Sequence, residues 1–499
     1  MPVVPELRIR SVNDAPVRVE SDYVLYWMTA NRRSRSNFSL QRAIEWCAEL
    51  NKPLLVLEAL RIGYRWASDR LHRFILQGMA DNRAAFRDAP CRYYCYVEPE
   101  RGHGEGLLQT LAENAAVVVT DDFPCFFLPA MLRLVSRRLD VKLEAVDSNG
   151  LLPMRAAEKV YPTAYAFRRF LQKELPGHLN EVPKSAPFQG HDLPRPPSVS
   201  RDILDRWPEA TAPVLEASTA SLAELAIDHD VRPACFDGGS LSAEAALSRF
   251  LNEGLPLYAS ERNATDKETA SGLSPYLHFG HISSHEAFAR VVEREAWTPD
   301  QLSDQTKGGR QGWWGMGEDA EAFLDQIVTW RELGYNMCWQ RSDYDRFESL
   351  PEWAQASLAE HEMDERPYLY SPGQLESAET HDEVWNAAQR QLVQEGRMHN
   401  YLRMLWGKKV LEWSETPREA VQTLIHLNNK YAVDGRNPNS YSGIFWCFGR
   451  YDRPWGPERP IFGKIRYMSS DNTRRKLNLK SYLRQYGSQS GGEQQTFWS

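Results

Sequence analysis

The sequence predicts a two-part fold, in which a Rossmann-like α/β domain with a doubly wound parallel sheet precedes an all-α domain. Five short apolar runs alternate with amphipathic helical stretches over residues 20–182. This pattern is typical of parallel strands that helices cover on both faces. Helical periodicity resumes after residue 213. A chain of 499 residues is also longer than one hydrophobic core usually supports.

The predicted strands and helices alternate along the first part of the chain. The strands are residues 23–28, 53–57, 92–97, 116–120 and 141–146, and the helices are residues 39–50, 69–87, 106–113 and 130–139. Residues 1–20 are polar and predict a loose arm. No GxGxxG and no Walker A motif occurs, so the sequence does not support a dinucleotide or P-loop site.

Composition marks the remaining boundaries. Residues 183–213 contain seven prolines among serines and charged residues, which predicts an inter-domain linker. A helical domain is then expected over residues 214–486. The Gly/Ser/Gln-rich residues 487–499 predict a disordered tail.

The charge of the chain is acidic overall but uneven. A net charge of −8 argues against a protein that coats nucleic acid without specificity. Between residues 450 and 484, however, basic residues outnumber acidic ones, and such a patch can bind phosphates on an acidic protein. The same residues are equally compatible with an ordinary solvated surface.

Several observations favour the cytoplasm. No apolar run approaches the roughly 18–20 residues of a spanning helix. The first residues lack the charged-then-apolar layout of a signal peptide. Seven scattered cysteines without any CxxC indicate neither a disulfide framework nor an iron–sulfur site.

The most distinctive part of the sequence is residues 385–446. It contains WNAAQ at 385–389, H-x-x-x-R-M-x-W-x-K-K-x-L-E-W at 399–413 and L-N-x-K-Y-x-x-D-G-R-x-P-N-x-Y at 427–441. These motifs resemble the flavin-binding half of the photolyase/cryptochrome family and are most similar to the class II cyclobutane pyrimidine dimer DNA photolyases. Weaker matches in the α/β part are VLYWM at 24–28 and VVTDDFP at 118–124.

The resemblance implies FAD as cofactor. SGLSPYLHFG at 271–280 is similar to the family's FAD-phosphate motif, although SxxSP taken alone fits a plain helix N-cap better. The implied salt bridge beside the flavin joins Arg403 to Asp434, and Asn428 would face the flavin N5. The full implied set is Tyr258, Ser271, Gly272, Leu273, Ser274, Asn400, Arg403, Asn428, Asp434 and Arg436.

Three tryptophans match those through which class II enzymes carry electrons to the flavin. They are Trp385, Trp406 and Trp413, although core packing is the alternative for any single tryptophan. Tyr370 falls where class II enzymes have a tyrosine, whereas Leu405 replaces one.

The resemblance also implies a pocket for flipped-out bases. It would be lined by Arg262, Asn263, Trp330, Met404, Trp446, Trp455 and Arg466. One position departs from the family, because Gln326 stands in place of a glutamate that contacts the lesion. An amide can still hydrogen-bond a base but cannot carry the same charge. The predicted catalytic residues are Gln326, Trp385, Trp406, Trp413 and Asn428.

The expected activity is that of a carbon–carbon lyase driven by light. An electron from photoexcited reduced FAD would enter a flipped-out pyrimidine dimer in UV-damaged DNA, with the cyclobutane type favoured. Repair of the (6-4) photoproduct and a cryptochrome-like photoreceptor without repair are the alternatives.

Other expectations concern cofactors, partners and one segment. The α/β domain would suit a second, antenna chromophore, whether deazaflavin, folate or another, and no metal is required. A monomer without membrane or obligate protein partner is expected. The Gly/Trp-rich residues 298–319 would be either an exposed loop near the site or a packing hairpin.

Overall fold

The computed structural model describes residues 3–487 and contains one six-stranded sheet. Its strands are β1 Ile9–Ser11, β2 Tyr23–Met28, β3 Leu54–Leu60, β4 Cys91–Val97, β5 Ala115–Asp121 and β6 Leu143–Val146. Their order is β1-β6-β5-β2-β3-β4. All neighbouring pairs are parallel except β1 with β6. The predicted fold class is confirmed.

Helices cover both faces of the sheet. They are α1 Phe38–Leu50, α2 Asp69–Ala85, α3 Leu107–Glu113 and α4 Leu128–Ser136. Alternate residues of β2 show the consequence, since Leu25 and Trp27 belong to one hydrophobic cluster and Val24 and Tyr26 to another. Successive side chains of a strand point to opposite faces, so a strand buried on both faces is apolar throughout.

The predicted loose arm at residues 1–20 is wrong. Residues of this segment form β1, and a 3-10 turn covers Glu6–Arg8. The Arg8 guanidinium is buried and donates hydrogen bonds to the carbonyl oxygens of Gly150 and Leu151 at 3.1 and 2.7 Å. Burial lowers the pKa of Arg8. The composition of this segment did not indicate a strand, because the strand is held by backbone hydrogen bonds rather than by a run of apolar side chains.

The segment predicted as a linker, residues 183–213, also packs against the sheet. Trp207 is buried in the same cluster as Tyr94, and its indole N–H donates to the His103 carbonyl at 2.8 Å. The helices within and around this segment are α5 Ala164–Glu174, α6 Arg201–Arg206, α7 Ala212–Leu215 and α8 Thr219–Leu222. A proline-rich composition predicted the irregular backbone but not the packing of this one tryptophan.

The rest of the described chain is helical. Its helices are α9 Ser240–Arg249, α10 Tyr258–Glu261, α11 Ser274–Phe279, α12 Ser284–Glu295, α13 Glu318–Leu324, α14 Arg331–Gln340, α15 Glu352–Glu360, α16 Pro372–Glu376, α17 Glu383–Glu395, α18 Asn400–Trp413, α19 Pro417–Tyr431, α20 Pro438–Trp446, α21 Ser470–Lys476 and α22 Lys480–Tyr486. Phe250–Gly254 and Asp325–Trp330 are π-helical turns.

The chain divides into two compact units. The sheet unit comprises the chain up to Ala259 with Thr269–Tyr344 and Val433–Ser442, and the helical unit comprises Ser260–Glu268, Asp345–Ala432 and the chain from Gly443. This division does not follow the predicted domains 20–182 and 214–486. Polar contacts explain the difference, since Arg33 donates to the Gly280 carbonyl at 3.1 Å and Arg331 to the Asn149 carbonyl at 2.6 Å.

The Gly/Trp-rich segment at 298–319 is a packing element of the sheet unit. Trp313 and Trp314 are buried, and the Trp297 indole donates to the Trp314 carbonyl at 2.5 Å. The Glu321 carboxylate accepts hydrogen bonds from the amides of Gly312 and Gly315. The packing alternative therefore describes this segment.

None of the helices within residues 3–487 is long and apolar enough to cross a membrane. Of the predicted disordered tail at 487–499, everything after Gly487 lies outside the described residues.

Candidate active site

The loop before α11 gathers four of the residues predicted to bind the cofactor. Gly272 has φ +67°, and no heavy atom lies within 4 Å of the place where a Cβ would stand. Its backbone therefore faces open space in a conformation that glycine adopts without strain. The Ser271 hydroxyl accepts a hydrogen bond from the amide of Leu273, which is itself buried. Ser274 begins α11.

The sheet unit brings Ser274 and Asp434 together, although they are 160 residues apart. The Ser274 hydroxyl donates to the Asp434 carboxylate at 2.7 Å. The sequence predicted both residues as cofactor ligands but not this bond. It fixes the start of α11 to the segment before α20.

Tyr258 and Arg436, the other predicted ligands in the sheet unit, are both buried. Tyr258 packs its ring against Phe250 and Phe323, with centroids 5.5 and 5.6 Å away. Arg436 has φ +61° and donates to the Val433 carbonyl at 3.1 Å. Burial lowers the pKa of Arg436, and the nearby Tyr64 opposes that shift.

The π-helical turn at Asp325–Trp330 holds two residues of the predicted lesion pocket. Gln326 and Trp330 are half-buried and four residues apart. The Trp330 indole N–H donates to Asp325 Oδ2 at 3.1 Å, and Asp325 Oδ1 accepts from Arg168 Nε at 2.9 Å. The carboxylate that reaches Trp330 therefore belongs to Asp325. Its position directly before Gln326 is the signal that sequence reasoning passed over.

The helical unit brings the three predicted electron-carrying tryptophans together. Trp385 on α17 donates its indole N–H to the Trp406 carbonyl on α18 at 3.0 Å. The rings of Trp385 and Trp413 stand nearly perpendicular, 70° between planes, with centroids 5.6 Å apart. The Trp406 indole donates to Gln389 Oε1 at 2.9 Å. Aromatic rings whose centroids are 5.6 Å apart, as those of Trp385 and Trp413 are, can pass an electron from one to the other.

Gln389 is a functional neighbour that sequence reasoning did not single out. It is fully buried on α17 and orients Trp406 through that hydrogen bond. The signal was available, since Gln389 is the last residue of WNAAQ and lies one helical turn from Trp385.

The predicted flavin-facing residues of the helical unit lie on two helices. Asn400 is the exposed first residue of α18, and Arg403 is half-buried one turn later. Asn428 is buried on α19, with Nδ2 3.4 Å from Asn429 Oδ1. Arg403 belongs to the helical unit and Asp434 to the sheet unit. Their salt bridge stays a prediction.

The predicted base-binding residues of the helical unit include one exposed aromatic ring between two cations. Trp455 is 37% exposed, and its indole donates to Asp452 Oδ1 at 3.0 Å. The guanidinium carbons of Arg453 and Arg466 lie 5.3 and 5.1 Å from the Trp455 ring centroid. Of the others, Asn263 is exposed, whereas Arg262, Met404 and Trp446 are half-buried.

A buried lysine next to this region was missed by sequence reasoning. Lys408 Nζ donates to the Cys447 carbonyl at 2.6 Å, just beyond the end of α20. Burial lowers the pKa of Lys408 to about 8. A cation at a helix C-terminus stabilises the free carbonyls there. The motif W-x-K-K contained the signal.

Comparisons with known proteins decide between the families compatible with this geometry. Deoxyribodipyrimidine photo-lyase of Methanothermobacter thermautotrophicus is 35% identical over 477 residues, which cover 95% of this chain and 97% of the relative. The enzymes of that name from Potorous tridactylus and Oryza sativa subsp. japonica are 31% and 33% identical, covering 96% and 92% of this chain and 84% and 86% of the relatives.

The chain belongs to the photolyase/cryptochrome family. The predicted family and the predicted enzyme class are confirmed, and the (6-4) and photoreceptor alternatives are not favoured. A bacterial class III photolyase from Agrobacterium tumefaciens has a TM-score of 0.64, covering 94% of this chain and 86% of its own, at 15% identity. That likeness supports the fold. No family model matches the chain.

This photolyase-family chain also contains a cavity of about 700 Å³ in the sheet unit. It lies beyond the carboxyl ends of β2, β3, β4 and β5. In the strand order, β2 separates β3 from β5, so the chain reverses its direction across the sheet there, and ligands of open α/β sheets bind at such a point. The walls are Trp27, Leu57, Tyr64, Tyr96, Phe123, Phe126, His278 and Arg436, among others.

Glu98 at the end of β4 organises one side of that cavity. Its carboxylate accepts from the amides of Ile62, Gly102 and Gly104 at 2.9, 2.9 and 3.2 Å. The glycine-rich loop at 101–106 therefore folds around Glu98 and lines the cavity.

Proposed function

We propose that this chain repairs cyclobutane pyrimidine dimers in UV-damaged DNA in a reaction driven by light. The observation that carries the proposal is 35% identity to a deoxyribodipyrimidine photo-lyase along nearly the full length of both chains. The row Trp406, Trp385 and Trp413 supports it, because a light-driven electron transfer enzyme needs a route for electrons through the protein.

We propose FAD as the cofactor, and the donor set of the chain suits it. A flavin pyrophosphate requires hydroxyl and backbone N–H donors. The Ser271–Ser274 loop offers both, with Gly272 facing open space. Bound FAD would supply the light absorption and the single electron that opens the cyclobutane ring, and this electron would afterwards return to the FAD. Tyr258, Leu273, Asn400 and Arg436 complete the proposed set.

The roles of the charged and amide groups follow from where negative charge develops. The Arg403 guanidinium would stabilise negative charge on the reduced ring, and the Asn428 amide would hold a hydrogen bond at its N5 edge. Asp434, whose carboxylate accepts from Ser274, would orient Arg403. Both Arg403 and Asp434 are retained from the family motifs.

The proposed base-binding residues suit a lesion turned out of the duplex. Trp455 with Arg453 and Arg466 presents an aromatic face and two cations, which favour base stacking and phosphate contact. Asp325 holds the indole of Trp330 in place. Gln326 would donate or accept one neutral hydrogen bond to the damaged base. Arg262, Asn263, Met404 and Trp446 are the remaining proposed contacts.

We propose that the cavity of the sheet unit holds the second chromophore. Its volume of about 700 Å³ is in the range of small-molecule sites, and its aromatic walls suit a flat conjugated ring. Deazaflavin and folate both meet this description.

The remaining proposals concern the setting. None of the seven cysteines, all of which lie within residues 3–487, forms a disulfide bond, which suits a reducing compartment, and we propose the cytoplasm. We propose a monomer that binds damaged DNA.

The test is an assay that separates lesions. Purified protein with chemically reduced FAD is incubated with UV-irradiated DNA in blue light and in darkness, and cyclobutane dimers and (6-4) products are quantified separately. We expect loss of cyclobutane dimers in the light alone. Loss of only the (6-4) product would reassign the substrate. Loss of neither, with FAD bound, would overturn the proposal.

A further inference from the structure

The row of tryptophans ends inside the protein. Trp385, Trp406 and Trp413 are 0%, 2% and 2% exposed. An electron that moves toward the flavin leaves an electron hole, a tryptophan cation radical, that passes outward along the row. At Trp413 that hole is still shielded from water, so a further group must receive it if it is to reach the surface.

Tyr370 is placed to be that group. Its ring stands at 76° to the Trp413 ring, with centroids 5.5 Å apart. The Tyr370 amide also donates to the Trp413 carbonyl at 3.1 Å, which fixes the two residues to each other. Unlike Trp413, Tyr370 is partly exposed.

A phenol can be oxidised by an indole cation radical only if it loses its proton, because a phenol cation radical is a very strong acid. Tyr370 has an acceptor for that proton. Its hydroxyl lies 2.7 Å from Nδ1 of His381, within the reach of direct proton transfer. The backbone N–H of His381 donates to the Tyr370 oxygen at 3.0 Å. In the tautomer that carries its proton on Nε2, Nδ1 accepts the hydrogen bond from the Tyr370 hydroxyl.

The imidazole of His381 is held in this position by a third ring. Tyr368 stacks on it with centroids 3.7 Å apart and 21° between planes. His381 also contacts Trp413 edge to face at 5.3 Å. His381 is exposed, so its other nitrogen can exchange protons with water.

We propose that His381 is the proton acceptor for oxidation of Tyr370, and that the Tyr370–His381 pair ends the electron route of this chain. The proposal rests on the photolyase function proposed above. In the step, Tyr370 gives one electron to the Trp413 cation radical and its hydroxyl proton to His381 Nδ1. The products are neutral Trp413, a neutral Tyr370 radical and a protonated His381. Separating hole and proton in this way slows the return of the electron from the flavin.

Few other charges face the pair. The Lys409 ammonium lies 5.3 Å from the Trp413 ring centroid and is paired with Glu412 at 2.8 Å. The Asp382 carboxylate, next in sequence to His381, accepts hydrogen bonds from Ser470 and from the amides of Val384 and Trp385. His381 is therefore the base in direct contact with the Tyr370 hydroxyl.

The test is transient absorption of the FAD-loaded full chain after a light pulse. In the wild type, we expect a tryptophan radical that gives way to a neutral tyrosine radical. Tyr370→Phe should abolish the tyrosine signal and lengthen the life of the tryptophan radical. His381→Phe keeps the stacking on Tyr368 but removes the base, and should also abolish the tyrosine signal. Tyr368→Phe is the matched control and should behave as the wild type.

Two further measurements distinguish proton acceptance from a structural role. Imidazole in solution should restore the tyrosine signal in His381→Ala. In the dark, nitrogen NMR of His381 should show the tautomer protonated at Nε2. A tyrosine signal that survives in His381→Phe at the wild-type amplitude would overturn the proposal.

Failure of this proposal differs from failure of the proposed function. Chemically reduced protein does not need the electron route, so His381→Phe and Tyr370→Phe should repair dimers normally in that state. Loss of dimer repair in the wild type overturns the function. A wild type that repairs dimers but shows no tyrosine radical overturns only the role of the Tyr370–His381 pair.

Discussion

Gln326 is the residue that, on the resemblance, stands where the family has a glutamate proposed to contact the lesion. It lies half-buried in the π-helical turn. The carboxylate of its neighbour in sequence, Asp325, accepts hydrogen bonds from Arg168 and Trp330. Because the Asp325 carboxylate already accepts these two hydrogen bonds, it cannot take the place of the family's glutamate toward the lesion. The amide of Gln326 is the polar group left at this position to contact a base.

We predict that Gln326→Glu raises the rate of cyclobutane dimer repair. A hydrogen bond with a charged partner is roughly 1 kcal/mol stronger than a neutral one, which corresponds to about a fivefold change in rate. The measurement is dimer loss per light pulse with reduced protein and saturating DNA. Gln326→Met, which has a similar shape without hydrogen bonds, is the control and should lower the rate. An equal rate for all three side chains would show that position 326 does not contact the lesion.

Among the secondary-structure elements, the pair α17 and α18 carries the tryptophans of the proposed electron route. Both helices are expected from the sequence, and their three tryptophans meet because α17 ends at Gly396 and the chain turns back as α18. Gly396 has φ +75°, the left-handed conformation that ends helices and that glycine adopts without cost. The motif residues are thereby placed on two facing helices.

We predict that Trp406→Phe abolishes light-driven reduction of the flavin while FAD content stays unchanged. Phenylalanine keeps the packing but is far harder to oxidise than an indole, so the row is interrupted. The measurement is the absorbance of oxidised flavin under steady blue light with an external reductant. Trp314→Phe removes a buried tryptophan of the sheet unit and should reduce at the wild-type rate. Normal reduction in Trp406→Phe would remove the proposed electron route.

The packing of α2 against residue 281 gives a second prediction for an element. A Cβ added at Gly78 would lie 2.3 Å from the Nε2 atom of His281, which is fully buried. His281 cannot move away easily, because its Nδ1 accepts the Gly239 amide at 2.9 Å.

We predict that Gly78→Ala destabilises the protein by about 1–3 kcal/mol, the usual cost of overpacking. At an exposed helical position the same change stabilises by roughly 0.5–1 kcal/mol. Gly373→Ala on α16 is the matched control, since the nearest atom to its Cβ is 4.0 Å away. The measurement is the free energy of unfolding in urea. A stabilised Gly78→Ala would show that α2 and His281 are not in close contact.

For the molecule as a whole, buried histidines determine the response to acid. Burial lowers the pKa of His281 to about 3 and of His72 to about 4. Each binds fewer protons in the folded state than in the unfolded state, where its pKa is near 6.5. Their contribution to stability is therefore complete above about pH 6.5 and is lost as pH falls toward the folded values.

We predict that the free energy of unfolding decreases as pH falls from 6.5 to 5, by roughly 2 kcal/mol for each of these histidines. Glu332 acts in the opposite direction, because burial raises its pKa to about 7. Its contribution grows as pH falls from 7 to 4.5, so Glu332→Gln should steepen the loss. The measurement is the urea midpoint at pH 7.5, 6 and 5. A flat profile would contradict the predicted burial of these groups.

The sequence by itself determined the family, the α/β fold class and five of the six strands, and it predicted the three tryptophans of the proposed electron route. Apolar runs buried on both faces and motifs of fixed spacing are local properties, so they can be recognised without coordinates. Three-dimensional packing decided what composition hides. Residues 9–11 became a strand because β6 supplied backbone partners, and Trp207 was drawn from a proline-rich segment into the core.

Tertiary structure also decided the polar neighbours that complete each candidate site. The bonds from Ser274 to Asp434, from Trp330 to Asp325 and from Trp406 to Gln389, and the contact of Tyr370 with His381, each depend on side-chain direction. Sequence spacing does not encode such directions. The cavity beyond the sheet likewise exists because separate strands end side by side, a consequence of strand order rather than of any one motif.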